Sequence, residues 1–183
     1  EMDAGEVKQM LFDLGADLCG IASADSLGDA PKGFHPRDVL PSCRSVIVFA
    51  NRFLAGTLAS KSTVPYTIVR NVLSDQMDGM AVRFCTVLEK RGFIAVPTST
   101  IGPTEYDVHS GRRRNIVSAK HCAQAAGLGV IGKNTLLITP EYGNMVWLSA
   151  ILTELTLRPD PPLAHKFCDD CGLCVDACPA HAL

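Results

Sequence analysis

Cys168, Cys171, Cys174 and Cys178 crowd into one short stretch near the C-terminus, spaced C-x2-C-x2-C-x3-C and followed directly by Pro179. This is the spacing of bacterial ferredoxins. Three thiolates at x2 intervals wrap one face of a [4Fe–4S] cubane, and the fourth, one helical turn further on, points away and ordinarily ligates a second cluster. Zinc is the weaker reading, because zinc sites usually divide their ligands into two separated pairs. A run of purely structural cysteines is weaker still. One cluster lacks a fourth ligand and a second lacks three, yet only Pro179 to Leu183 follow Cys178. The iron–sulfur module is therefore expected to be incomplete, with one or two clusters in a longer form.

The rest of the chain must form an ordinary core around this feature. Of 183 residues, 47% are hydrophobic, and 17 Lys+Arg against 19 Asp+Glu leave a net charge of -2. That balance excludes a strongly basic nucleic-acid surface. No apolar run is long enough for a transmembrane helix, so no membrane partner is expected. The start, Glu1-Met2-Asp3-Ala4-Gly5-Glu6, lacks the basic and apolar regions of a signal peptide. A cytoplasmic, reducing location follows as the expectation, in which dense cysteines are metal or catalytic before they are disulfides. Cys19, Cys43, Cys85 and Cys122 are scattered and read as small buried hydrophobes.

Periodicity predicts an α/β body over 1–157 and a metal module over 158–183. Helices are expected at Ala4–Leu14, Tyr66–Arg91 and Ser118–Ala126, the last with Ser118 as N-cap and Gly127 at its end. Strands are expected at Leu18–Ala22, Ser45–Ala50, Phe93–Val96, Leu136–Thr139 and Val146–Thr153. The β-branched run Ser45–Ala50 suits a strand covered on both faces. Ser26–Pro41 and Thr98–Arg114 read as loops, and Pro159-Asp160-Pro161-Pro162 as a stiff linker into the cysteine run.

Gly127-Leu128-Gly129-Val130-Ile131-Gly132 matches G-x-G-x-x-G. The dinucleotide fingerprint needs a strand before it and a helix after it. Here the order is reversed, so nicotinamide binding is not expected. The three glycines suit either close approach to a flat or anionic ligand or a tight connection with no ligand. Lys120, His121, Lys133, Asn134 and Tyr142 surround the same loop and are candidates for holding a cofactor. His121 is also a candidate proton donor, since imidazole titrates near neutrality, as is Tyr106. For both, a packing role is the alternative. Arg112-Arg113-Arg114 is either a solvated loop or a phosphate contact. His35, His109, His165 and His181 show no metal-ligand spacing.

Together, Ser118-Ala119-Lys120-His121-Cys122-Ala123, Ala126-Gly127-Leu128-Gly129, Gly132-Lys133-Asn134 and Ile138-Thr139-Pro140-Glu141-Tyr142-Gly143 lead into the cysteine run. This order resembles the epoxyqueuosine reductase family and its anaerobic paralogues, with reductive dehalogenases as relatives. Gly20-Ile21-Ala22, Leu40-Pro41 and Ser45-Val46-Ile47-Val48 extend the resemblance over nearly the whole chain. The resemblance implies a nitroreductase-like αβα sandwich that binds cobalamin and a ferredoxin-like module with [4Fe–4S] clusters. It further implies a cleft lined by Gly127–Asn134 with the clusters against it, and electrons passing from cluster to cobalt to substrate. The catalytic acid of epoxyqueuosine reductases would fall at Arg113, and the nearest acid is Asp107. The family's tRNA-contacting repeat domain is missing, so tRNA is not an expected partner. The chain then reads as an iron–sulfur oxidoreductase with a small-molecule substrate and an external electron donor. The alternatives are an electron-transfer or cluster-carrying accessory module, and a zinc-knuckle binding domain.

Overall fold

The computed structural model describes residues 2–108, 111–165 and 167–183. His109 lies outside them. The centre is a four-stranded antiparallel sheet of order β1-β2-β8-β3, made of Leu18–Ser23, Ser45–Arg52, Val146–Thr153 and Ala95–Pro97 respectively. Ile47 sits between Ile21 and Ile151 across three strands. Because side chains alternate in a strand, Ile21, Ile47, Phe49 and Ile151 face one side, where Val7, Leu11, Met77, Phe84 and Leu88 meet them. These belong to α1 (Ala4–Asp13) and α3 (Val64–Lys90). On the other side Val46, Val48, Ala150 and Leu152 pack on Cys122, Ala123 and Ala126, at and just beyond α4 (Ala119–Ala125). Strand β2 is thus covered on both faces, as its uninterrupted apolar run predicts. Each fully buried Ile, Leu or Phe contributes roughly 1.5–3 kcal/mol, so these two layers fix the sheet.

Local chemistry explains where elements begin and stop. Asp3 caps α1 through its carboxylate and the Glu6 N–H. Helix α3 starts at Val64 rather than Tyr66, because Pro65 suits a first helical turn, where no N–H is needed. Strand β3 includes Pro97, which an edge position tolerates.

Both stretches read as loops contain short elements. Pro36–Val39 forms one helical turn, α2, in which the His35 ring accepts from the Arg37 N–H and Asp38 reaches back to the His35 N–H. Glu105–Asp107 (β4) and Arg112–Arg114 (β5) pair as a hairpin. The four scattered cysteines are all free and buried. Burial pushes Cys19, Cys85 and Cys122 up to about 12, so they stay neutral thiols and behave as hydrophobes. Among the described residues no helix is long and apolar enough to cross a membrane.

Candidate metal and cofactor site

The glycine motif is itself a hairpin. After α4, Val130–Ile131 (β6) pairs with Leu137–Ile138 (β7) around a turn at Lys133-Asn134-Thr135. Gly127 ends α4 at φ +73, with its N–H donating to the Gln124 carbonyl and the Leu128 N–H to the Ala123 carbonyl. That double bond pattern is a Schellman closure. Ser118 does stand at the N-cap, but its hydroxyl lies 2.6 Å from His121 Nδ1 instead of capping the helix.

The glycines are explained from within the chain. A Cβ on Gly127 would stand 2.4 Å from the Pro161 carbonyl oxygen, and one on Gly129 would stand 2.4 Å from that of Ile138. On Gly132 it would meet Ile138 Cδ1 at 2.5 Å. Rigid backbone therefore requires glycine at Gly127 and Gly129, whereas at Gly132 only the end of the Ile138 side chain would have to shift, and the residue type alone carries no separate signal for a ligand. Two side chains strap the hairpin to α4. Lys120 Nζ donates to the Thr135 carbonyl at 2.7 Å, and Gln124 Oε1 accepts from the Ile131 N–H at 2.7 Å.

The hairpin tip touches the cysteine run. The Lys133 N–H donates to Cys168 Sγ at 3.4 Å, and Lys133 Nζ lies 3.4 Å from Asp170 Oδ1. Asp160, in the linker, grips the edge strand β1. Its carboxylate accepts from the Ile21 N–H at 2.8 Å and from Lys8 Nζ at 2.5 Å, while its own N–H donates to the Ile21 carbonyl. Linker and hairpin thus hold the start of the run against the body.

Beyond Cys168 the chain turns through left-handed Asp170 and Gly172 into α5 (Leu173–Asp176), which carries Cys174. Cys178 Sγ accepts from the Ala182 N–H at 3.4 Å. Backbone donors at Ala182 and Ala180 hold its thiol below the usual range. All four thiols are free. Among the described residues, no three His, Cys, Asp or Glu side chains converge closely enough to hold a metal ion. The donor set nevertheless fits an iron–sulfur cluster in kind: four unpaired thiols and N–H···S donors, in a module of the type that metal binding itself organises.

Two clefts flank α4 and share Phe34 and Ser118 in their walls. The first, about 550 Å³, is lined by Lys120, Arg114, Thr100, Trp147 and Leu148, among others. Arg114 is fixed there by Glu105 at 2.8 Å and by the Phe34 ring, 4.9 Å from its guanidinium carbon. Among the described residues the buried indole N–H of Trp147 has no partner, and neither has Oδ1 of Asn51, its cross-strand neighbour. The second cleft, about 480 Å³, holds His121, Gln124, Asp29 and the apolar Leu27, Pro31 and Pro162.

The structure therefore brings Lys120 and His121 to two different, adjoining clefts beside one helix. Gly127, Gly129, Gly132, Lys133 and Asn134 line neither of these clefts, contrary to the expectation of a cleft walled by that loop, because this segment packs on its own return strand β7, the linker and the cysteine run. Tyr142 and Tyr106 line neither cleft. Tyr142 sits in a turn, its N–H donating to Thr139 Oγ1, and Tyr106 is 63% exposed on β4. Phe34 and Trp147 escaped sequence reasoning because lone aromatics in a loop and a strand carry no pattern. Arg114 was visible only as one of three adjacent arginines, of which Arg112 and Arg113 are exposed.

Comparison with known proteins bears on this arrangement. The 4Fe-4S binding domain family matches residues 165–183. An epoxyqueuosine reductase from Staphylococcus aureus aligns with all of the chain at 26% identity. One from Atelocyanobacterium thalassa aligns over 85% of it at 30% identity. The structure of epoxyqueuosine reductase from Streptococcus thermophilus superposes on the whole chain with a TM-score of 0.69 and 24% identity. The chain belongs to the epoxyqueuosine reductase-like family. It spans 53%, 48% and 54% of these three relatives, about half their length. A catabolic reductive dehalogenase shares the fold over 87% of the chain and 20% of its own, with a TM-score of 0.61 and 22% identity.

Proposed function

We propose that this epoxyqueuosine reductase-like chain is the cofactor-binding half of an iron–sulfur oxidoreductase. In this reading Cys168, Cys171 and Cys174 hold one [4Fe–4S] cluster, Cys178 contributes to a second, and a corrinoid occupies the groove around α4. The observation that carries it is the contact of the hairpin tip with Cys168, which joins the cysteine run to the element strapped on α4.

The groove fits the chemistry of a corrinoid in kind. Phe34, Leu137 and Leu148 offer apolar walls, while Lys120 and Arg114 supply cations for an anionic tail. Bound there, cobalamin would supply low-potential one-electron chemistry that protein side chains lack. The chain's own residues do the rest. Arg114 is oriented before any ligand arrives, by Glu105 and Phe34, so less ordering cost falls on binding. His121 has Nδ1 engaged with Ser118, which leaves Nε2 to exchange a proton in the second cleft. The same reading assigns the chain a small-molecule substrate and a separate electron donor, with a nitroreductase-like sandwich as its scaffold.

Trp147 is the one tryptophan of the chain and lines the first cleft, so its fluorescence reports ligation directly. Titration of the anaerobically reconstituted chain with cobalamin should quench Trp147 saturably, with weaker binding for Lys120→Met or Arg114→Met. If neither cobalamin nor flavin quenches it, the enzyme reading fails and the cluster-carrying accessory module takes its place.

A further inference from the structure

The outer face of α3 is unexplained by anything inside the chain. Its inner face is buried by Ser74, Met77, Met80, Ala81, Phe84, Cys85 and Leu88. Opposite them, at 3.6-residue spacing, run Ile68, Val72, Asp75, Gln76, Gly79, Val82, Arg83 and Thr86. Ile68, Val72 and Val82 are all more than half exposed.

Gly79 lies at the centre of this face. Glycine within a helix costs roughly 1 kcal/mol relative to alanine. A Cβ there would meet nothing but the flexible end of Arg83, at 3.5 Å. Packing within the chain therefore does not call for glycine at this position. A notch in the middle of a helix lets a second backbone approach closely.

The charges around the notch are self-complementary. Asp75 lies four residues before Gly79 and Arg83 four residues after it. Among the described residues neither makes an ion pair. We propose that α3 is the interface for a second copy of this chain, crossing antiparallel on a two-fold axis at Gly79. The axis sets Asp75 of each copy opposite Arg83 of the other, twice over, and Val72 opposite the methyl of Thr86. Isologous contacts repeat in this way by symmetry. Leu54 and Leu58 before the helix and Ile94 after it are also exposed. At about 1.5 Å per residue the helix is roughly 40 Å long, enough for a substantial interface. This inference is independent of the cofactor reading.

Sedimentation velocity on the full 183-residue chain tests it. The wild type should sediment as a dimer in a concentration-dependent equilibrium with the monomer. Asp75→Arg alone and Arg83→Asp alone should each weaken self-association by at least about tenfold, through like-charge contact. The double variant should restore it. Gly79→Leu should abolish the dimer while circular dichroism shows the helix intact. A monomeric wild type, a dimer indifferent to Gly79→Leu, or a double variant that stays monomeric would each overturn the proposal.

Discussion

Replacing Gly127 by alanine tests how the cysteine run is held to the body. Two costs add at this position. The backbone sits at φ +73, where a Cβ costs about 1–2 kcal/mol. The new Cβ would also stand 2.4 Å from the Pro161 carbonyl oxygen, a rigid backbone atom, and overpacking of this kind costs about 1–3 kcal/mol. The sum is about 2–5 kcal/mol. Gly143 provides the control, since its φ is +57 and a Cβ there meets nothing within 4 Å, so Gly143→Ala should show the backbone cost alone. The gain from a stiffer unfolded chain is common to both and cancels in the difference. Urea denaturation of the two variants should therefore separate them by about 1–3 kcal/mol. Because the displaced atom lies in the linker, Gly127→Ala should also slow cluster assembly, and Gly143→Ala should not. Equal destabilisation by the two variants would show that the linker does not pack on the end of α4 as described.

Asp160→Ala strips the acceptor from the Ile21 N–H and should cost about 1–3 kcal/mol in urea denaturation. Asp160→Asn keeps an acceptor and should cost less, the Lys8 pairing being partly exposed and worth little by itself. Ellman's reagent on the metal-free chain should titrate Cys168, Cys171, Cys174 and Cys178 rapidly and reach Cys19, Cys43, Cys85 and Cys122 only on unfolding. Burial raises Cys122 from 9.0 to about 12, so between those values the unfolded chain releases a proton that the folded chain keeps. Stability contributed by this thiol is complete below pH 9 and is lost as pH rises toward 12. Cys122→Ala should flatten the alkaline fall in stability by up to about 1.4 kcal/mol per pH unit.

What the sequence made legible follows from how strongly each signal is local. The β-branched run of β2, the long stripe of α3, and α4 with its glycine stop each state their own form within a few residues. Sheet order does not. Strand β8 is last in the chain yet lies inside the sheet between β2 and β3, a pairing decided by which faces α1, α3 and α4 must cover. The glycine motif illustrates the same limit. Its letters suited a ligand cradle or a tight connection alike, and the space beside each glycine is filled by Pro161 or Ile138, partners remote or unpatterned in sequence. One-turn α2 left a signal in Pro36 and Asp38 that a composition-based loop assignment overrides. The cysteine run was legible as a 4Fe-4S binding motif, because ligand spacing is itself the chemistry. The clefts were half legible: Lys120 and His121 sit in a recognisable motif, whereas Phe34, Arg114 and Trp147 meet only through the tertiary fold.

In the proposed function Cys168, Cys171 and Cys174 hold an iron–sulfur cluster beside the hairpin tip, which touches Cys168. Anaerobic reconstitution with iron and sulfide, followed by metal analysis and electron paramagnetic resonance of the reduced protein, tests it most directly. Bound iron and sulfide with a cubane signal are expected, lost on Cys168→Ala and retained on Cys122→Ala. Zinc alone in the purified chain, with no iron–sulfur signal after reconstitution, would contradict it.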